Sequence, residues 1–91
     1  MRWRYTHNFD TRQTYFGRGW WADEVGVEFH ELDWTILQRG RVFWVCRDTD
    51  IIEAGENRDI AALEPLFVFP SLAAAKAAYL IGHHVGQCNP R

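Results

Sequence analysis

The stretch Trp34-Thr35-Ile36-Leu37-Gln38-Arg39-Gly40-Arg41-Val42-Phe43-Trp44-Val45-Cys46-Arg47 decides the fold. Trp34 to Gln38 and Arg41 to Arg47 are rich in β-branched and aromatic residues. They flank Arg39-Gly40, where glycine can take the left-handed conformation that a tight hairpin needs. Pairing Gln38 with Arg41 sets Leu37 opposite Val42 and Thr35 opposite Trp44 on one face. Ile36 then faces Phe43, and Trp34 faces Val45, on the other. Both faces are apolar, whereas a strand covered on one side alternates with polar residues, so this hairpin needs cover on two sides.

Downstream, Asp48-Thr49-Asp50 has turn chemistry and leads to a short strand over Ile51 to Ala54, ended by Gly55. Asn57 to Glu64 reads as one helical turn with Asp59 as a cap, stopped by Pro65, and Leu66 to Phe69 as a last strand. Ser71 is an N-cap for a helix over Leu72 to Ile81, with Gly82 as its stop. That helix holds five alanines and a single charge, Lys76, which predicts burial over much of its circumference and a close approach to the sheet.

Upstream, Arg2 to Phe9 alternates, with Trp3, Tyr5, His7 and Phe9 on one side and Arg2, Arg4, Thr6 and Asn8 on the other. Val25 to Leu32 has the pattern of a half-buried strand. Thr14 to Trp21 is broken by Gly17 and Gly19, and reads as an irregular strand or an aromatic loop. The expected architecture is α+β, a mostly antiparallel β-sheet of about five or six strands with one C-terminal α-helix packed on one face. At 91 residues the chain has room for a single core, hence one domain over residues 1–91.

Composition is that of an ordinary globular chain, with 47 % hydrophobic and 24 % charged residues. No apolar run approaches the roughly 20 residues that span a bilayer. Met1 to Tyr5 lacks the apolar stretch of an export signal. The default expectation is therefore a cytoplasmic protein with no membrane contact, in which Cys46 and Cys88 are free thiols rather than a disulfide. The net charge of −2 gives no global attraction to nucleic acid, but the charge is uneven. Arg2, Arg4, Arg12 and Arg18 stand against Asp10 before Gly19, while Asp23, Glu24, Glu28, Glu31 and Asp33 follow with no lysine or arginine among them. Charges of opposite sign on adjacent strands would cancel in part.

Catalytic signals are absent. Gly17-Arg18-Gly19 is not a phosphate-binding fingerprint. His83, His84 and Cys88, with Cys46 and His7 elsewhere, lack the spacing of a zinc finger, and Asp48, Asp50 and Glu53 lack that of a calcium loop. Cys46 lies in an apolar strand, where a structural thiol is expected. No enzyme activity, cofactor or metal is expected.

What remains is aromatic surplus. The single helix covers one sheet face, so the second must be closed by the aromatic N-terminal third, a second copy or a partner. Tryptophan, tyrosine and arginine dominate the energetics of interfaces. Gly17-Arg18-Gly19-Trp20-Trp21 reads as a mobile tip whose rings cannot both point inward. The candidate partner-binding residues are Trp3, Arg4, Tyr5, Arg18, Trp20, Trp21 and Trp34. The leading expectation is a small non-catalytic protein-binding module that modulates or inhibits a larger protein or nucleoprotein partner, of the kind that phages and mobile elements encode, anti-CRISPR inhibitors among them. One alternative is a single-stranded nucleic-acid binder that stacks bases on Trp3, Tyr5, Trp20 and Trp21 and holds phosphates with Arg2, Arg4, Arg12 and Arg18. Another is a homodimeric structural component that buries its second face against its own copy.

Overall fold

The computed structural model describes residues 2–11, 14–23 and 34–88, with side chains over 3–11, 14–22 and 34–80. The strand expected over Val25 to Leu32, Arg12, and the side chains of His83, His84 and Cys88 lie outside these residues. The fold is α+β. Strands β1 (Arg2–Thr6), β4 (Gly19–Asp23), β5 (Trp34–Arg39), β6 (Val42–Arg47) and β7 (Phe67–Phe69) form one antiparallel sheet in the order β1-β4-β5-β6-β7. Strands β2 (Asp10–Thr11) and β3 (Thr14–Tyr15) form a second, two-stranded sheet.

The β5–β6 hairpin forms, with a register shifted by two residues from the one the sequence suggests and a loop of the same length. Arg39 pairs with Val42, Gln38 with Phe43 and Leu37 with Trp44, so the loop is Gly40-Arg41 rather than Arg39-Gly40. Gly40 has φ +63° at the first loop position, where a two-residue II′ hairpin turn demands glycine. A shift of two preserves which side chains share a face. Both faces are apolar, as read, and both are closed by the chain itself.

On one face lies α2 (Leu72–Cys88), whose Ala75 and Tyr79 are buried against Ile36 and Val45. Its start is the expected one, since Ser71 Oγ accepts the Ala74 N–H at 3.2 Å. Its end is not: the helix runs through Gly82 to Cys88, because a helix held by packing absorbs the roughly 1 kcal/mol that an interior glycine costs. Nor is it buried over most of its circumference. Ala73, Ala77 and Leu80 face solvent, and alanine's small apolar surface tolerates that.

On the other face the turn and strand expected over Asp48 to Ala54 are replaced by a helix, α1 (Asp48–Glu56). Ile51, Ala54 and Gly55 recur at helical spacing and are the residues it buries, while Ile52 is 43 % exposed. Asp48 and Asp50 lie in its first turn, where acidic residues complement the helix dipole. Gly55 does not end a strand; it lets the small sheet approach. A Cβ there would sit 2.8 Å from Thr11, and Thr14 Oγ1 donates to the Gly55 carbonyl at 3.0 Å. Past Asn57 the chain closes with Arg58 at φ +52°, whose N–H donates to the Gly55 carbonyl, while the Asp59 N–H donates to the Ala54 carbonyl, a Schellman ending. A 3₁₀ turn (Ile60–Ala62) follows, where one helical turn was expected, although Asp59 makes no side-chain cap.

Together α1, the 3₁₀ turn, Phe9 and strands β2 and β3 bury Phe16, Leu37, Cys46, Ile51, Ala54 and Leu63 in a second core. The second face is thus closed within the chain, and needs neither a partner nor a second copy to cover it.

Candidate binding surface

Alternation along β1 and β4 sorts the candidate residues. Trp3 stands opposite Ala22 and Tyr5 opposite Trp20, and these residues share the α2 face with Trp34. Arg4 stands opposite Trp21, on the α1 face. Arg18 lies in the bend before β4, exposed, its carbonyl accepting the Gln38 N–H at 3.0 Å. The seven residues therefore do not form one patch.

Gly17 to Trp21 is not a projecting tip. Gly17 takes φ +87° and turns the chain into β4, a strand flanked by β1 and β5. Gly19 is there because a Cβ would meet the Phe9 ring at 2.9 Å. Successive strand residues point to opposite faces, so Trp20 and Trp21 both find cover, and both are half-buried. Trp21 meets Phe9 edge-on at 5.9 Å between centroids.

Two other tryptophans belong to the α2 packing. Trp3 lies 5.0 Å from the Tyr79 ring, with Lys76 Nζ 4.9 Å from its centroid, a cation–π contact. Trp34 is held between Tyr79 and Phe67, at 6.3 and 6.1 Å. Tyr79 also ties the helix to the sheet, its phenol oxygen accepting the Ala22 N–H at 3.2 Å.

Beside this packing, at the end of the α2 face near the β5–β6 turn, the rings form a row. Tyr5 lies 5.1 Å from Trp20, and Trp20 meets Phe43 edge-on at 5.7 Å. His7 completes it: its ring lies 5.0 Å from Tyr5 at 72°, and its Nδ1 is 2.9 Å from the Tyr5 hydroxyl. Tyr5 is 44 % exposed, His7 is exposed, and Trp20 and Phe43 are half-buried. Tilted and edge-to-face contacts are the preferred aromatic geometry, so the rings are fixed on a rigid strand scaffold while offering part of their surface to solvent.

Sequence reading missed Phe43 and His7 as members of this row. It placed Phe43 on the correct face of the hairpin, but only the pairing of Trp20 with Ile36 on β5 brings Trp20 beside it. The alternation of β1 did place His7 with Tyr5. On the opposite face Cys46 is a buried free thiol. Burial pushes it up to about 12, with Asp50 and Asp48 adding to the rise and Arg39 opposing it. Asp48 is engaged, its carboxylate accepting the Thr35 hydroxyl at 2.6 Å. Among the described residues no three histidine, cysteine or acidic side chains come together, and no helix is long and apolar enough to cross a membrane. Comparison with family models, curated proteins and solved structures returned no match.

Proposed function

We propose that the chain is a non-catalytic protein-binding module that modulates or inhibits a larger partner, and that it makes contact through the Tyr5–Trp20–Phe43 row with His7 at its end. The observation that supports this is a preorganised, partly exposed aromatic row on a sheet whose two cores are already filled from within. Rigid aromatic anchors lose little conformational entropy on binding, which is why they serve as interface hot spots. The nucleic-acid reading draws on the same rings as a stacking platform. It is weakened by the alternation of β1, which puts Arg4 on the face opposite Tyr5 and Trp20, away from where a stacked strand would carry its phosphates.

Affinity capture from the native host tests the proposal, comparing the wild-type chain with a Tyr5→Ala/His7→Ala variant. The variant is expected to lose a partner that the wild type retains, with its circular dichroism and melting temperature nearly unchanged. Equal retention of the same partner by both would overturn the reading. Oligonucleotide binding with a steep salt dependence would replace it by the nucleic-acid reading.

A further inference from the structure

The end of the sheet beyond the aromatic row carries three arginines, Arg18, Arg39 and Arg41. Two turns lie side by side there, Gly17-Arg18 and Gly40-Arg41. They are joined by the hydrogen bond from Gln38 N–H to the Arg18 carbonyl, and a Cβ on Gly17 would be 3.8 Å from the Gln38 carbonyl. Between them, Tyr15, Phe16, Gly17, Gln38, Arg39, Gly40 and Ile60 line an open groove of about 480 Å³. Arg39 is preset in its wall. Its Nη1 donates to the Phe16 carbonyl at 3.1 Å, and its guanidinium carbon lies 5.6 Å from the centre of the Trp44 ring. Guanidinium has five N–H donors in a fixed plane, so this anchoring orients the fork and leaves donors to spare. Arg18 and Arg41 are exposed and follow the rim residues Gly17 and Gly40.

No carboxylate among the described residues pairs with these three arginines. Asp10, opposite Tyr15, and Asp59, before Ile60, are the acidic neighbours of the rim. Of the other acidic side chains described, Asp48, Asp50, Glu53 and Glu56 lie on α1, which begins where β6 ends, and Glu64 lines a pocket with Asp50 and Glu53. Arg41 precedes the start of that six-residue strand, roughly 20 Å away at strand rise. The described part of the chain is thus polarised, with a basic turn end and an acidic helix.

We infer that this turn end is a carboxylate-binding site for an acidic segment of a protein partner, with Arg39 taking one carboxylate in the groove and Arg18 and Arg41 its neighbours. The inference rests on the protein-binding reading above and names the chemistry of the partner. Charge complementarity carries it: the Arg39 fork, anchored on the Phe16 carbonyl and the Trp44 ring and with no carboxylate partner among the described residues, matches a planar carboxylate bidentately, and exposed Arg18 and Arg41 add positive charge beside it. The exposed Tyr15 ring and Ile60 at the groove suit the apolar stems of acidic side chains. A long phosphate polymer is disfavoured by the acidic α1 and the negative net charge.

Fluorescence anisotropy of a labelled oligoglutamate peptide, titrated at low salt with the full chain, tests this, with oligothymidylate as a second probe. Saturable oligoglutamate binding is expected, weakened roughly tenfold by Arg39→Gln and equally by Arg39→Lys, which keeps the charge and loses the planar fork. Arg18→Ala and Arg41→Ala alter exposed side chains, keep the fold, and are each expected to weaken binding about threefold. No oligoglutamate binding by the wild type, or equal binding by all four variants, would overturn the inference. Tighter binding of oligothymidylate with the same arginine dependence would overturn it in favour of phosphate. Tyr5→Ala/His7→Ala should leave oligoglutamate affinity unchanged, so failure of this site and failure of the aromatic row are read separately.

Discussion

The β1–β4 pair and the β5–β6 hairpin both carry large apolar side chains, yet the sheet uses them differently. In the hairpin, Ile36, Leu37, Val45 and Cys46 are all 0 % exposed. In the outer pair, Trp3, Trp20, Trp21 and Ala22 are half-buried and Tyr5 is exposed. The difference lies in the cover. Over the hairpin, α2 and α1 close from opposite sides, whereas α2 reaches the outer pair through Tyr79 and Lys76. An aromatic strand is therefore core or surface according to what lies above it.

Substitutions can break or sharpen that contrast. Leu37→Ala strikes the doubly covered layer and is expected to cost about 2–5 kcal/mol, through lost transfer energy and an unfilled cavity; urea unfolding measures it, and a loss below about 1 kcal/mol would mean that α1 does not close this face. Gly55→Ala tests the closure at its tightest point. On helix propensity alone the change would add about 1 kcal/mol of stability. With Thr11 only 2.8 Å from the new Cβ, it is instead expected to remove about 1–3 kcal/mol, and the sign of the melting-temperature shift decides. The smallest effect is expected for Tyr5→Ala, under about 1 kcal/mol in the same urea measurement, because nearly half of that side chain is already in water. A loss as large as that of Leu37→Ala would place Tyr5 in the core and remove it as a contact residue.

The parts of the fold legible in the sequence were those fixed by local chemistry. The glycine-centred hairpin, the Ser71 cap and the alternation of β1 each follow from residues within a few positions of one another. Asp48 to Gly55 was read as turn and strand because Ile51-Ile52 is β-branched and Asp-Thr-Asp favours turns. What makes it a helix is the core beneath Ile51 and Ala54 and the approach of Thr11 and Thr14, about forty residues away in sequence. The tryptophan pair shows the same division. Its glycines were read as a flexible tip, whereas Gly17 supplies a left-handed turn and Gly19 yields room to Phe9. Four of the seven candidate residues, Trp3, Tyr5, Trp20 and Trp34, do share one face, because alternation within a strand is local. Splitting them into helix packing and an exposed row required the strand order and the path of α2, and both depend on non-local pairing.

The Cys46 thiol beneath α1 gives the protein an internal clock. The thiolate is the form that attacks a thiol reagent, and a group that is wholly buried and pushed up to about 12 offers almost none at neutral pH while the fold is shut. Labelling of Cys46 must then wait for an excursion that lifts α1 from the sheet, so its rate counts openings of that layer. The aromatic row sits on the opposite face of the same sheet. Slower labelling once the row is occupied would report, from the far face, how strongly binding stiffens the sheet between them.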